Sequence, residues 1–405
     1  MKYIVMLGDG MADLPIAQLG GKTPLQVAHK PNMDFLAQNG VVGMVQTVPQ
    51  GMSPGSDTAN LSVMGYDPKI YYSGRSPLEA VSMGIQLQPQ DVTFRCNLVT
   101  LSDEARYEDT HMVDYSAGEI STEEAAELIT FLNTEMQTEF AQLFAGISYR
   151  HCLVLRNANL GSACTPPHDI SLQPIAGHLP TGTYGELLLG MMKRSRELLV
   201  NHPVNLARKQ NGLPMATSCW FWGEGVKPSL DLFSEKFGVT GGVISAVDLL
   251  KGIGICAGLK SVDVEGATGN IHTNFVGKAQ AAVDLLQNGY DFVYVHVEAP
   301  DEYGHRHDLE NKIKAIEKID ELVLGTLLPK LNAMQEPYAI LLMPDHPTPI
   351  DTMTHSSDPV PFALYRSNKK VDSGVAQYSE QAAAATGVHV ADGWNLLANV
   401  IAGKI

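Results

Sequence analysis

Three short stretches of this 405-residue chain together supply carboxylates and histidines in a way that suits metal chemistry. Asp9 sits in Gly8-Asp9-Gly10. Asp301 and His305 are four apart in Asp301-Glu302-Tyr303-Gly304-His305, which puts both on one face if the segment turns as a helix. Asp345 and His346 are adjacent, and His355 lies further on in Thr354-His355-Ser356. Mixed Asp and His ligands without cysteine suit zinc or manganese, and a carboxylate-rich set leans toward manganese. Any one pair alone is what a solvated turn provides. Asp9, Asp301, His305, Asp345, His346 and His355 together are more than that. His307 falls elsewhere on a helix and reads as a surface histidine.

A nucleophile is available nearby in type. Gly51-Met52-Ser53-Pro54-Gly55-Ser56-Asp57-Thr58 is a glycine-rich loop running into a helix. A helix N-terminus presents free N–H groups that can hold phosphate. Taken alone, Ser56 reads as a helix cap. A serine hydroxyl attacks only when a base or metal lowers its pKa. Two metal ions can do so and can also clamp phosphoryl oxygens, so Ser56 makes chemical sense with the metal set.

These residues need strands to place them. Tyr3–Leu7, Phe292–Val297 and Ala339–Met343 are continuous apolar runs, as in parallel strands covered by helices on both faces. Each ends beside one of the acidic groups, where ligands gather in such sheets. Helical patterns fall at Ser121–Phe140, with a capping-box start, at Asn311–Leu328 and at Lys278–Leu286. The intervening segment has strands of its own, Val92–Leu101 and His151–Arg156, and loops at Pro166-Pro167 and Pro174–Pro180. The expected organisation is an α/β catalytic domain, residues 1–85 and 254–405, interrupted by a second α/β domain, residues 86–253.

Composition is that of a globular protein, 44% hydrophobic and 18% charged. A net charge of −16 argues against nucleic acid and against anionic membrane surfaces. Metals and a few arginines can still make one cleft positive for a small anionic substrate. Five cysteines without a CxxC motif suggest reduced thiols. With no signal peptide and no long apolar run, a cytoplasmic protein is expected, with homo-oligomerisation left open.

The motifs Gly8-Asp9-Gly10, Pro54-Gly55-Ser56-Asp57-Thr58-Ala59-Asn60, Gly74-Arg75-Ser76-Pro77-Leu78-Glu79-Ala80, Phe94-Arg95-Cys96-Asn97, His296-Val297-Glu298-Ala299-Pro300-Asp301-Glu302 and Asp345-His346-Pro347-Thr348-Pro349, with His355 and Pro359-Val360-Pro361-Phe362, span nearly the whole chain. Together they resemble the archaeal-type cofactor-independent phosphoglycerate mutases of the alkaline phosphatase superfamily. The resemblance implies an alkaline-phosphatase-like, mostly parallel sheet flanked by helices. It also implies two divalent metal ions, Mn²⁺ foremost with Zn²⁺ or Co²⁺ as alternatives, and no 2,3-bisphosphoglycerate. Asp9, Ser56, Asp345 and His346 would hold one ion; Asp301, His305 and His355 the other. Ser56 would carry the phosphoryl group between the hydroxyls of a small phosphorylated substrate, with Lys278 near the phosphate and Arg75, Arg95 and Asp114 around the substrate. The inserted domain would be the lid.

One motif departs from the pattern. Asp114-Tyr115-Ser116-Ala117-Gly118-Glu119 has Tyr115 and Glu119 where the family typically has arginines, and Arg106, Arg150, Arg156 or Arg208 would have to compensate. The same look resembles a bacterial subgroup proposed to act as homoserine kinases, which is the alternative reading. A metal-dependent phosphatase, a sulfatase and a non-catalytic scaffold rank lower. The first suits an open site, the second needs a different nucleophile context, and the third predicts broken ligands.

Overall fold

The first strand, Lys2–Gly8, is buried along almost its whole length and pairs in parallel on both sides, with Phe292–Val297 and with Tyr338–Met343. Its Leu7 stands opposite both His296 and Met343. The residues following these three strands therefore leave the sheet side by side. The computed structural model describes residues 1–405 and divides into two units, Met1–Tyr72 with Leu230–Ile405, and Ser73–Ser229.

The sheet of the first unit has eight strands, in the order Lys260–Val262, Gly241–Ile244, Phe292–Val297, Lys2–Gly8, Tyr338–Met343, Val360–Arg366, Gly40–Val45 and His389–Val390. Val360–Arg366 alone runs against its neighbours. The Phe275–Gln287 helix packs Phe275, Ala279, Ala282 and Val283 into the core, together with Val293 and Val295 from the sheet. The helical pattern expected over 311–328 is not one α-helix. Leu309–Lys318 and Gly325–Ala333 are joined by a π-helical stretch, Ile319–Leu324. Packing explains it. Buried Asp320 accepts hydrogen bonds from the backbone N–H groups of Asn32 (3.2 Å) and Met33 (2.7 Å). It thereby caps the Pro31–Gln38 helix, whose own N-cap residue, Lys30, makes no side-chain cap.

The second unit is built on Val92–Leu101, which pairs antiparallel with Met112–Asp114, Arg150–Leu155 and Ser218–Val226; Ala141–Phe144 extends the sheet. The Thr122–Met136 and Gly185–Leu199 helices bury Leu128, Leu132, Leu188 and Met192 in a core that includes Phe94, Leu98 and Trp220. The Ser121 hydroxyl accepts from Glu124 N–H as the capping pattern expects.

The units divide near residues 72 and 230, not 85 and 253. Gly241–Ile244 pairs in parallel with Phe292–Val297 and so belongs to the first sheet. The Ser76–Ser82 helix instead bonds to the second, through Ser76 Oγ and the Thr93 carbonyl, 3.0 Å.

Candidate active site

Ser56 is the first residue of the Ser56–Val63 helix, and Gly55 holds the N-cap position. Ser56 is therefore not the capping residue that an isolated reading would make it. Its Oγ lies 3.1 Å from His346 Nε2. The same nitrogen stands 3.4 Å from Asp345 Oδ2 and 3.5 Å from Asp9 Oδ1. One imidazole nitrogen thus faces a hydroxyl and two carboxylates from three chain segments.

Asp9, Asp345 and His346 are buried, and Ser56 is half-buried beside them. Burial raises the Asp9 carboxyl well above the usual range, and the neighbouring Asp345, Asp301 and Glu298 carboxylates add to the effect. Asp9 Oδ1 is buried and has no hydrogen-bond partner. An orphaned carboxylate oxygen among further acids is costly unless a cation meets it.

The Ala299–His305 helix brings Asp301 and His305 together as their spacing predicts, with Asp301 Oδ2 3.3 Å from His305 Nε2. His355 Nε2 lies 3.2 Å from Asp301 Oδ1 and 2.9 Å from His305 Nε2. The other ring nitrogens fix the chemistry. His305 Nδ1 meets the Met353 carbonyl at 2.9 Å, and His355 Nδ1 meets the Pro54 carbonyl at 2.8 Å. A carbonyl only accepts, so each Nδ1 carries hydrogen and each neutral ring turns a bare Nε2 inward. Two lone pairs that close require a positive charge between them. A proton can supply it, and the hydrogen bond to Asp301 raises His305 to about 9. A divalent ion supplies it better, since all three groups are metal donors. Two donor sets, Asp9 with Asp345 and His346, and Asp301 with His346 and His355, share His346, and within each set the donor atoms lie within 4.8 Å of one another. The residues therefore fit two divalent cations by donor chemistry. His307 turns its Nδ1 to the Ile350 carbonyl, outside both sets.

Sequence reasoning missed a surrounding layer. His296 Nε2 contacts Asp9 Oδ2 at 2.8 Å, Asn60 Nδ2 donates to Asp345 Oδ2 at 2.7 Å, and Thr348 Oγ1 donates to Asp301 Oδ1. The signal available was a histidine inside the apolar run Phe292–Val297. Lys278, expected near the phosphate, is buried and donates to the His296 carbonyl at 2.9 Å; burial lowers its ammonium to about 8.

The remaining expected residues lie in the Ser73–Ser229 unit. Arg75 and Arg95 each place Nε 2.9 Å from one oxygen of Glu79, and the Arg95 guanidinium lies 4.0 Å from the centre of the Trp222 ring. Burial opposes ionisation of Glu79, yet Arg95, Arg75 and Arg150 together hold it below the usual carboxylate range. Arg150 thus joins the same cationic patch. Arg156 pairs with Asp91, Arg208 with Glu124 and the Ala117 carbonyl, and Arg106 is exposed beside Asp109. Asp114 accepts from Ser116 N–H, Ser116 Oγ and Gly118 N–H, organising its own loop. Tyr115 stands edge-on to Tyr149 and His168.

Residues 37–205 match the family model described as 2,3-bisphosphoglycerate-independent phosphoglycerate mutase. A protein of that name from Methanothrix thermoacetophila is 50% identical over the whole of both chains. One named probable 2,3-bisphosphoglycerate-independent phosphoglycerate mutase, from Geobacter sulfurreducens, is 51% identical over 98% of each. Among solved structures, a Pyrococcus horikoshii protein superposes with a TM-score of 0.83 at 28% identity, covering all of this chain and 98% of that one. A cofactor-independent phosphoglycerate mutase from Thermoplasma acidophilum gives 0.68 at 26% identity, with both chains covered in full.

Proposed function

The chain belongs to the 2,3-bisphosphoglycerate-independent phosphoglycerate mutase family, and we propose that it interconverts 3-phosphoglycerate and 2-phosphoglycerate through a phosphoserine at Ser56. The observation that carries this reading is the position of Ser56 Oγ, 3.1 Å from His346 Nε2, at the meeting point of Asp9 and Asp345.

In this mechanism Asp9, Ser56, Asp345 and His346 would hold one divalent ion, and Asp301, His305 and His355 the other. Bound there, divalent ions would lower the pKa of the serine hydroxyl and neutralise the phosphoryl oxygens. Ser56 Oγ loses its proton and attacks phosphorus in line, the bond to the glycerate oxygen breaks, and that oxygen takes up a proton in exchange. The glycerate turns within the site. Its other hydroxyl then attacks the phosphoserine, loses its proton and restores Ser56. Lys278, already desolvated, adds positive charge at the same end of the sheet. The work of the protein is positioning and charge neutralisation. In the other unit, Arg75 and Arg95 flank Glu79 and Arg150 lies within electrostatic reach of it, a gathering of guanidinium groups that suits that unit to a carboxylate or phosphate group of the substrate. Manganese is the ion we favour on the carboxylate-rich donor set. The buried thiols Cys96, Cys152 and Cys219 accord with a reducing, cytoplasmic setting.

Metal-loaded protein given 3-phosphoglycerate alone is expected to form 2-phosphoglycerate without added bisphosphate. Product from homoserine and ATP, with none from 3-phosphoglycerate, would replace the mutase reading by a kinase on the same metals and serine.

A further inference from the structure

We propose that His296 and Asn60 are positioning residues that hold one of the two metal sites selectively, each by tethering one ligand carboxylate from behind. The inference rests on the two-metal reading above.

Asn60 comes first because its orientation can be decided. The buried Tyr294 hydroxyl donates to Asn60 Oδ1. The Ser56 carbonyl and the Asp345 carboxylate only accept, and both meet the same end of the Asn60 amide, so that end is the NH2. The Nδ2 hydrogens then go to the Ser56 carbonyl at 2.8 Å and to Asp345 Oδ2 at 2.7 Å. Asn60 thus ties the backbone of the nucleophile, one helical turn earlier, to a metal ligand. The other oxygen of Asp345, Oδ1, accepts from Gly10 N–H and His346 N–H, so the carboxylate plane is set. Oδ2 keeps its remaining lone pair toward His346 Nε2, 3.4 Å away.

His296 does the same for Asp9. Ser245 Oγ already accepts from Val247 N–H at 2.9 Å and lies 3.0 Å from His296 Nδ1. Asp9 Oδ2, as a ligand carboxylate, only accepts, so Nε2–H donates to it at 2.8 Å and Nδ1 is left to accept from the serine hydroxyl. Asp9 Oδ1 is left as the inward atom, buried and with no hydrogen-bond partner. Outer hydrogen bonds of this kind orient ligands and preserve their reach.

The selectivity follows from which carboxylates are held. Both tethers end on the set containing Asp9 and Asp345. The set of Asp301, His305 and His355 is held instead by Thr348 and by the Met353 and Pro54 carbonyls. Losing either tether should weaken one cation and spare the other.

The test is a Mn²⁺ titration of metal-stripped, full-length protein by calorimetry, with the fold checked by circular dichroism. The wild type is expected to take up two equivalents. His296→Leu and Tyr294→Phe should each weaken one equivalent by about 10–100-fold and leave the other unchanged. His296→Gln, which keeps an N–H toward Asp9, should recover most of that loss. Wild-type affinity at both equivalents in His296→Leu and Tyr294→Phe would overturn the proposal, as would equal loss at both. If His296→Leu fails to fold, Tyr294→Phe, which removes a single oxygen, decides. A wild type that binds no Mn²⁺ is a different result, and it sinks the two-metal reading itself.

Discussion

Ser56 occupies the first helical position, one residue after the N-cap, and its hydroxyl makes no capping bond. Replacing it should therefore cost chemistry and little stability. Ser56→Ala is expected to lower turnover roughly a thousandfold or more while unfolding free energy stays within about 0.5 kcal/mol of wild type. Labelled phosphate trapped on the variant at wild-type stoichiometry would show that another group carries it. A second residue sets a pH limit. His151 is buried, with Nδ1 accepting from Gly146 N–H and Nε2 unpartnered, and burial lowers it to about 3. Its neutral form is the folded one. Above about pH 6.5, the usual histidine value, it costs nothing. As pH falls toward 3, the unfolded chain gains a proton that the folded chain refuses, and stability drains by up to about 1.4 kcal/mol per pH unit. Denaturant curves between pH 7 and 5 should show this slope in wild type and a shallower one in His151→Gln. The cluster itself was legible because acids and histidines after apolar runs are conspicuous. His296, Asn60 and Tyr294 were not, since within a strand or helix they read as part of the packing. Their role depends on partners up to about 290 residues away.

At the level of elements, the turn after the first strand is the most exacting. Gly10 has φ +59°, and a Cβ there would come 2.8 Å from the Asp301 Cα and 2.5 Å from Thr348 Oγ1. Gly10→Ala should cost about 1–2 kcal/mol for the left-handed backbone alone. It should also weaken Mn²⁺ binding, because the displaced atoms belong to Asp301 and the residue that holds it. Unchanged stability and affinity would contradict the close approach. The π-helical stretch makes a separate prediction. Asp320→Ala removes the cap of the Pro31–Gln38 helix and should cost about 2 kcal/mol, read as a lowered denaturant midpoint with Mn²⁺ affinity unaffected. Periodicity placed the three central strands within a residue of their observed ends. It could not see the π stretch, because hydrophobic spacing records which residues face the core and not how one backbone caps another. Gly241–Ile244 escaped notice for a different reason: four residues beginning Gly-Gly carry too little pattern to read as a strand.

For the whole molecule, each unit has its own apolar core, and the donor groups suited to cations all belong to the Met1–Tyr72 and Leu230–Ile405 unit. Ions that bind only the folded form stabilise it by mass action. Chelation should therefore lower the melting temperature and added Mn²⁺ should restore it, with about 2.7 kcal/mol gained at a free concentration one hundredfold above Kd. A melting temperature indifferent to chelator and metal would count against occupied sites. No helix is long and apolar enough to cross a membrane. The sequence showed that a second unit interrupts the first, but not where, because the boundary depends on which sheet each flanking segment joins.

The pairing of the first strand has a consequence in time. Lys2–Gly8 is central in its sheet, yet its partners are Phe292–Val297 and Tyr338–Met343. On a ribosome adding about 5–20 residues per second, the strand waits tens of seconds for its neighbours. Meanwhile Ser73–Ser229 emerges with both sides of its own sheet already made. The order of synthesis is therefore not the order of closure: Lys2–Gly8 is made long before its neighbours, and Asp9 meets Asp301 and Asp345 only after both have been made.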